Sequence, residues 1–221
     1  MKNYHYLNSA KKNKKLYPKI KLFLDIIISF FLIIFLIPVF FVIALLVKFS
    51  SRGPIFFSQK RIGRFNKTFK CIKFRTMHVE SKDILEKLLS ENEELRIEFD
   101  KKHKLSNDPR ITPIGKFLRK TGLDELPQLI NIIKMDMSFI GPRPIVQNEV
   151  KKYGDNFTKV FSIRPGISGL WQVSGRNNLT YKRRVEIDVI YIDNYSLIMD
   201  LRIIIRTFGV ILFPKDNNGL F

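Results

Sequence analysis

The chain has 221 residues, enough for one domain of ordinary size plus an appendage, and a formal net charge of +19 from 39 Lys and Arg against 20 Asp and Glu. A single cysteine, Cys71, excludes an internal disulfide and a thiolate-based zinc site, so a reducing compartment is the default. His5, His78 and His103 are scattered without metal-ligand spacing, and the basic excess points to polyanionic partners: nucleic acid, anionic lipid headgroups or phosphorylated substrates.

Residues 1–20 are a basic N-terminal segment, and residues 21–48 hold the apolar run LFLDIIISFFLIIFLIPVFFVIALLV, interrupted only by Asp25, Ser29 and Pro38. A straight helix of that length would measure about 39 Å, enough to cross a hydrocarbon core of roughly 30 Å. No small-residue cleavage site follows it, so it reads as a membrane segment and not a cleaved signal. Lysines and arginines crowd both flanks, and Asp25 is the only acid before Glu80. The positive-inside tendency then wants both ends on the cytoplasmic side, which a segment that dips in and returns at Pro38 satisfies. A single span kinked at Pro38 is the alternative, because proline is tolerated in membrane helices.

Residues 51–77 read as turns and short strands punctuated by Gly53-Pro54 and Gly63. ESKDILEKLLSENEELRIEFDKK reads as one solvated amphipathic helix with no catalytic role. A helix is expected from Asp124, with Leu126, Leu129, Ile130 and Ile133 on one face, whereas Gly141-Pro142-Arg143-Pro144 must be a fixed loop. RPGISGLWQVSGR is a second Gly-punctuated loop. The stretch from Tyr181 to Phe213 is helical in period and ends apolar enough to lie on a membrane surface or pack on the dipping helix.

Two features carry chemistry. Asp124 and Glu125 are either an ordinary helix cap, which Pro127 in the first turn would suit, or an acid pair for a Mg²⁺-assisted phosphate reaction. In the second reading one acid binds metal and the other attacks, with Arg119 five residues upstream. Arg75, Arg110, Arg143, Arg164 and Arg176 mostly stand next to Gly or Pro, as suits guanidiniums held in place for phosphate. Helix-turn-helix, zinc-finger and RNP-type patterns are missing, as are P-loop and dinucleotide fingerprints, so neither nucleic acid nor ATP or NAD chemistry is expected.

From Lys19 to Phe213 the chain resembles the bacterial sugar transferase family, the monotopic polyprenyl-phosphate phosphoglycosyl transferases. The motifs GPIFFSQKRIG, KFRTM, DPRITPIGKFLRKTGLDELPQLINIIKMDMSFIGPRP, RPGISGLWQVSGR and YSLIMDL carry the resemblance by recurring in order. It implies a mainly α fold with a few short strands (α+β). An N-terminal re-entrant helix broken at Pro38 would join a catalytic domain over residues 49–213 on the cytoplasmic face of the bacterial inner membrane, with residues 214–221 as a tail. Its length is similar to the small, catalytic-core form. Relatives often have Ser before the proline, where this chain has Ile37.

The resemblance further implies ping-pong transfer of a sugar-1-phosphate from a UDP-sugar to undecaprenyl phosphate, releasing UMP and starting capsule, O-antigen, exopolysaccharide or glycoprotein glycan assembly. Asp124 would be the nucleophile and Glu125 the Mg²⁺ ligand. Lys73, Arg119 and Asp200 would surround the phosphate and the dyad, and Arg143 and Arg176 would contact phosphate or uridine. Anionic lipids are expected partners, and a homodimer is left open. The rival functions are direct transfer in a ternary complex and a non-enzymatic membrane-anchored basic scaffold.

Overall fold

The computed structural model describes residues 16–102, 105, 107–175 and 179–212. It is mostly helical with short strands. The described residues fall into two compact units: those within 16–35, 59–71 and 128–212 make the first, and those within 36–58 and 72–127 the second.

The apolar run forms α1 (Tyr17–Phe35) and α2 (Ile37–Ser50). Neither is long and apolar enough to cross a membrane alone, but together they pass that test as a pair bent by 65°. The break falls at Leu36, two residues ahead of the expected position, and Pro38 sits in the first turn of α2. There its missing N–H costs nothing, while its ring opposes the carbonyl four residues back, at Ile34, where α1 is ending.

In the second unit, Ile43 and Val47 of α2 pack with Phe74 and Leu118 in one apolar cluster. Phe74 ends β2 (Thr68–Phe74), the partner of β1 (Phe56–Ile62) in a two-stranded sheet. Leu118 belongs to α5 (Pro113–Thr121), whose start follows from its sequence: Thr112 accepts the Gly115 N–H at 2.9 Å and Pro113 opens the first turn. The acidic stretch is not one helix. It divides into α3 (Ser81–Glu91) and α4 (Glu93–Lys102) at Asn92, whose backbone is extended and whose Oδ1 caps the Leu95 N–H at 3.1 Å.

Gly115 is required by close approach. A Cβ there would lie 2.0 Å from the Thr76 carbonyl oxygen, which also accepts the Thr112 N–H. Gly115→Ala must push the 76 strand segment off α5, and a destabilisation of about 3 kcal/mol is expected, at the upper end of overpacking costs because backbone has to move. A thermal unfolding midpoint unchanged from wild type would contradict that contact.

In the first unit, α1 packs against α6 (Gln128–Ile133). The segment ahead of the GPRP loop and one inside RPGISGLWQVSGR form a parallel pair not foreseen from sequence: β3 (Ser138–Ile140) aligns with β4 (Gly166–Ser168), Ser138 opposite Gly166 and Ile140 opposite Ser168. Gly166 permits the approach, since a Cβ there would meet the Gly141 nitrogen at 2.1 Å. Ile62, Ile145, Val160, Phe161 and Val185 build one core cluster together with Tyr153. The short α7 (Phe157–Val160) and α8 (Tyr181–Asp193) flank it. The C-terminal stretch of helical period forms two helices, because Asn194 to Ser196 separate α8 from α9 (Leu197–Leu212). On α9, Ile198, Ile205 and Phe208 are exposed.

Candidate active site

The acid pair lies in the second unit, but not at the start of a long helix. Gly122, left-handed at φ 73°, ends α5, and Leu123–Glu125 form a 3₁₀ turn. Neither carboxylate caps this turn, and α6 begins only at Gln128. Capping is therefore not the role of Asp124. The turn is pinned by its flanks: Leu123 and Leu126 both pack on the cluster of Ile43, Val47, Phe74 and Leu118. Apolar anchors on either side thus hold two acids at 4% and 5% exposure.

Lys73, the penultimate residue of β2, donates to Glu125 Oε1 and lies 3.9 Å from Asp124 Oδ2. Asp124 Oδ1 is buried without a hydrogen-bond partner. Burial pushes the Asp124 carboxyl up to about 6, with the Glu125 charge adding to the rise while Lys73 and Arg119 oppose it. The site therefore holds an unusually basic carboxylate with one buried oxygen that lacks a hydrogen-bond partner.

Arg119, in the last turn of α5, is within electrostatic reach of Asp124. Its Nε donates to Thr76 Oγ1 at 2.9 Å, which fixes the guanidinium plane. Burial lowers its pKa, and Asp124 and Asp108 pull the other way. Asp108 holds Arg110 bidentately at 2.8 and 2.6 Å and accepts the Arg110 N–H in an Asx turn. Burial alone would raise the Asp108 carboxyl, but the hydrogen bonds from Arg110 bring it below the ordinary range. Thr76 and Asp108 escaped the sequence reading. The Asx turn signature Asp-Pro-Arg was the available signal for Asp108, whereas Thr76 follows only from the strand segment meeting α5.

Lys73→Met would leave Glu125 buried with its cation gone. A loss of about 2 kcal/mol is expected, below the 3–5 kcal/mol for breaking a fully buried pair because Lys73 retains some exposure. Lys73→Arg should keep most of that stability. Equal melting of wild type and Lys73→Met would show that Lys73 does not compensate Glu125.

The other expected residues are placed differently. Arg75, buried beneath Gly53, donates to the carbonyls of Arg52 (2.6 Å), Ser51 (2.7 Å) and Val47 (3.2 Å). It ties down the C-terminal end of α2. Asp200 belongs to the first unit and accepts hydrogen bonds from Tyr17 and Lys21 of α1 and from Tyr191 of α8, the last at 2.6 Å. Arg143 is half-buried in the GPRP loop, close enough to Arg184 for their charges to interact. Arg184 in turn stacks on Trp171 at 4.8 Å. Arg176 lies outside the described residues.

Among the described residues, no group of three or more His, Cys, Asp or Glu could hold a metal ion. Two adjacent carboxylates with one orphaned oxygen nonetheless fit Mg²⁺, which takes one or two carboxylates and completes its shell with water and substrate phosphates.

A family model described as bacterial sugar transferase matches residues 16–214. An uncharacterized sugar transferase of Haemophilus influenzae is 47% identical over 93% of the chain and 43% of its own length. The undecaprenyl-phosphate galactose phosphotransferase of Salmonella typhimurium is 43% identical over 93% of the chain and 42% of its own length. The exopolysaccharide production protein ExoY of Sinorhizobium fredii is 43% identical over 87% of the chain and 85% of its own length. The chain thus spans less than half of the first two relatives and most of the third. With a match over nearly its whole length, the chain belongs to the bacterial sugar transferase family.

Proposed function

We propose that the protein is a phosphoglycosyl transferase that moves a sugar-1-phosphate from a UDP-sugar to undecaprenyl phosphate in two displacements, with Asp124 as the nucleophile. The buried Asp124 carboxylate, basic for an aspartate and with one oxygen unpartnered, is the observation that carries this reading. In the first displacement an Asp124 oxygen forms a bond to the sugar-bearing phosphorus. The phosphoanhydride bond breaks, and UMP leaves with the bridging oxygen and its electron pair. In the second, an oxygen of undecaprenyl phosphate attacks the same phosphorus and returns the carboxylate to Asp124.

The chain's own residues have distinct tasks. Arg119, held by Thr76, presents charge to the phosphate oxygens, and Lys73 supports the pair from β2. Glu125 would hold Mg²⁺, which when bound withdraws charge from the diphosphate and eases attack by an anion. Arg143 and Arg176 remain proposed phosphate or uridine contacts, and Asp200 a proposed residue of the transferase site.

The bent α1–α2 pair supports a re-entrant membrane segment with the catalytic domain on the cytoplasmic face. In the second unit the acid-pair turn packs directly on α2, so a helix at shallow depth would hold Asp124 near the headgroups, where the lipid phosphate is confined. Incubating the protein with Mg²⁺, a panel of UDP-sugars and no lipid tests this. One sugar should support label exchange between UMP and UDP-sugar. UMP formation only when undecaprenyl phosphate is added, without exchange, would replace the covalent route by a ternary complex. Absence of turnover across the panel would count against the transferase.

A further inference from the structure

A cavity of about 260 Å³ in the first unit plays no part in the chemistry above. Its walls are the β1–β2 loop with Gly63, Arg64, Phe65 and Lys67, the first two residues of β2, the Met135–Asp136 loop after α6, and Arg164 ahead of β4. Each of its arginines is fixed by one nitrogen. Arg64 Nε donates to the Ser162 carbonyl at 2.9 Å, and Arg164 Nε to the Met135 carbonyl at 2.7 Å. Neither terminal Nη pair has a hydrogen-bond partner among the described residues. The two guanidiniums are close enough for their charges to interact, and that of Arg64 lies over the Phe65 ring at 4.4 Å, which leaves the terminal nitrogens of both without a hydrogen bond. Lys67 adds a third cation, and Asp136 is the acid in the lining. The arrangement is pre-set for a bidentate oxyanion.

The loops hold a second observation. Phe65 and Met135 both adopt left-handed backbone, at φ 55° and 62°, and both are exposed, at 62% and 52%. Bulky residues pay a steric cost in that region and persist there where surrounding structure enforces it, often at ligand clamps. Each loop therefore displays an apolar side chain at the rim of a cationic cavity.

The location fits a membrane surface. Asp25 of α1 and Tyr195 act on the charge of Arg164, and the Tyr195 ring meets Tyr17 at 4.9 Å at the start of α1. In this unit the cavity is therefore close to the end at which a dipping α1 would enter the bilayer. Its size also limits the ligand, since it falls below the roughly 300–1,000 Å³ of sites for drug-sized molecules. A headgroup fits that volume better than a nucleotide sugar.

We propose that Arg64, Lys67 and Arg164 bind the phosphate of an anionic phospholipid headgroup, with Phe65 and Met135 contacting its acyl region. This rests on the membrane reading above and adds to it a specific lipid site apart from the acid pair.

Native mass spectrometry of the full chain in neutral detergent tests it, with phosphatidylglycerol, phosphatidylcholine and inorganic phosphate as probes. Phosphatidylglycerol should bind most tightly. Arg64→Gln with Arg164→Gln should weaken it roughly 25-fold, from about five-fold per basic residue at a lipid surface. Lys151→Gln with Lys182→Gln, which removes two exposed lysines outside the lining, should change it little. Arg164→Lys, which keeps the charge and loses the fork, should weaken binding even if the double variant folds poorly. Met135→Ala, which keeps the backbone carbonyl that holds Arg164 and leaves Arg64 on Phe65, should weaken phosphatidylglycerol and leave inorganic phosphate unaffected. Equal losses in the two double variants would reduce the effect to net charge and overturn the site. Inorganic phosphate binding as tightly as lipid, with Met135→Ala silent, would overturn the lipid assignment. UMP exchange measured on the same wild-type samples separates the failures. Exchange without Arg-dependent lipid binding sinks this site alone, and Arg-dependent lipid binding without exchange sinks the transferase alone.

Discussion

Asp124→Asn should reduce UMP exchange by about four orders of magnitude or more, the scale on which covalent enzymes lose activity when the nucleophile is removed. The substitution keeps the shape of the side chain, and Leu123 and Leu126 still anchor the turn. Folding should therefore survive. Burial is what raises the Asp124 carboxyl to about 6, so the ionised form is a cost to the folded state at neutral pH. The inactive variant should accordingly melt no lower than wild type, a trade of stability against activity common at catalytic sites. A variant with full exchange would remove Asp124 from the mechanism. A variant that has lost exchange only because it unfolds would leave its melting temperature well below wild type.

The second large effect concerns Asp188, a fully buried carboxyl on α8. Tyr153 donates to its Oδ2 at 3.1 Å, while Oδ1 has no partner. Desolvation raises its pKa to about 8, against which the Tyr153 hydrogen bond acts. The folded state then retains a proton that the unfolded chain releases near pH 4. Between about pH 4 and pH 8 this group should cost the folded state up to about 1.4 kcal/mol per pH unit, and above that range the loss levels off. Asp188→Asn cannot titrate. Its stability should gain on wild type steadily as pH rises through that window, with the gap constant beyond it. Unfolding of both proteins from pH 5 to 9 measures the difference, and a pH-independent gap would show that Asp188 is not held protonated.

The elements legible in the sequence were those with strong local chemistry. The Gly-Pro and Gly63 turns bounded β1 and β2, and the apolar run gave a broken helix within two residues of its actual break, whereas the Thr112-Pro113 start of α5 went unread. Asn92 and the Asn194–Ser196 segment were missed because a single polar residue interrupts a helical period without erasing it. The β3–β4 pair was missed because three-residue parallel strands leave almost no periodic signal. At the candidate site, Asp124, Glu125, Lys73 and Arg119 gather in one unit. The bonds of Arg75 to the end of α2 were not legible, because a guanidinium beside a turn looks the same whether it serves a phosphate or three carbonyls. Thr76 was invisible because only tertiary packing brings it to Arg119.

The covalent role of Asp124 is tested most directly by mass spectrometry of the protein after incubation with Mg²⁺ and the accepted UDP-sugar, without lipid. The account predicts a mass increase of one sugar phosphate, mapped to the peptide containing Asp124, absent in Asp124→Asn and discharged when undecaprenyl phosphate is added. An unmodified Asp124 peptide in protein that is actively turning over would contradict it.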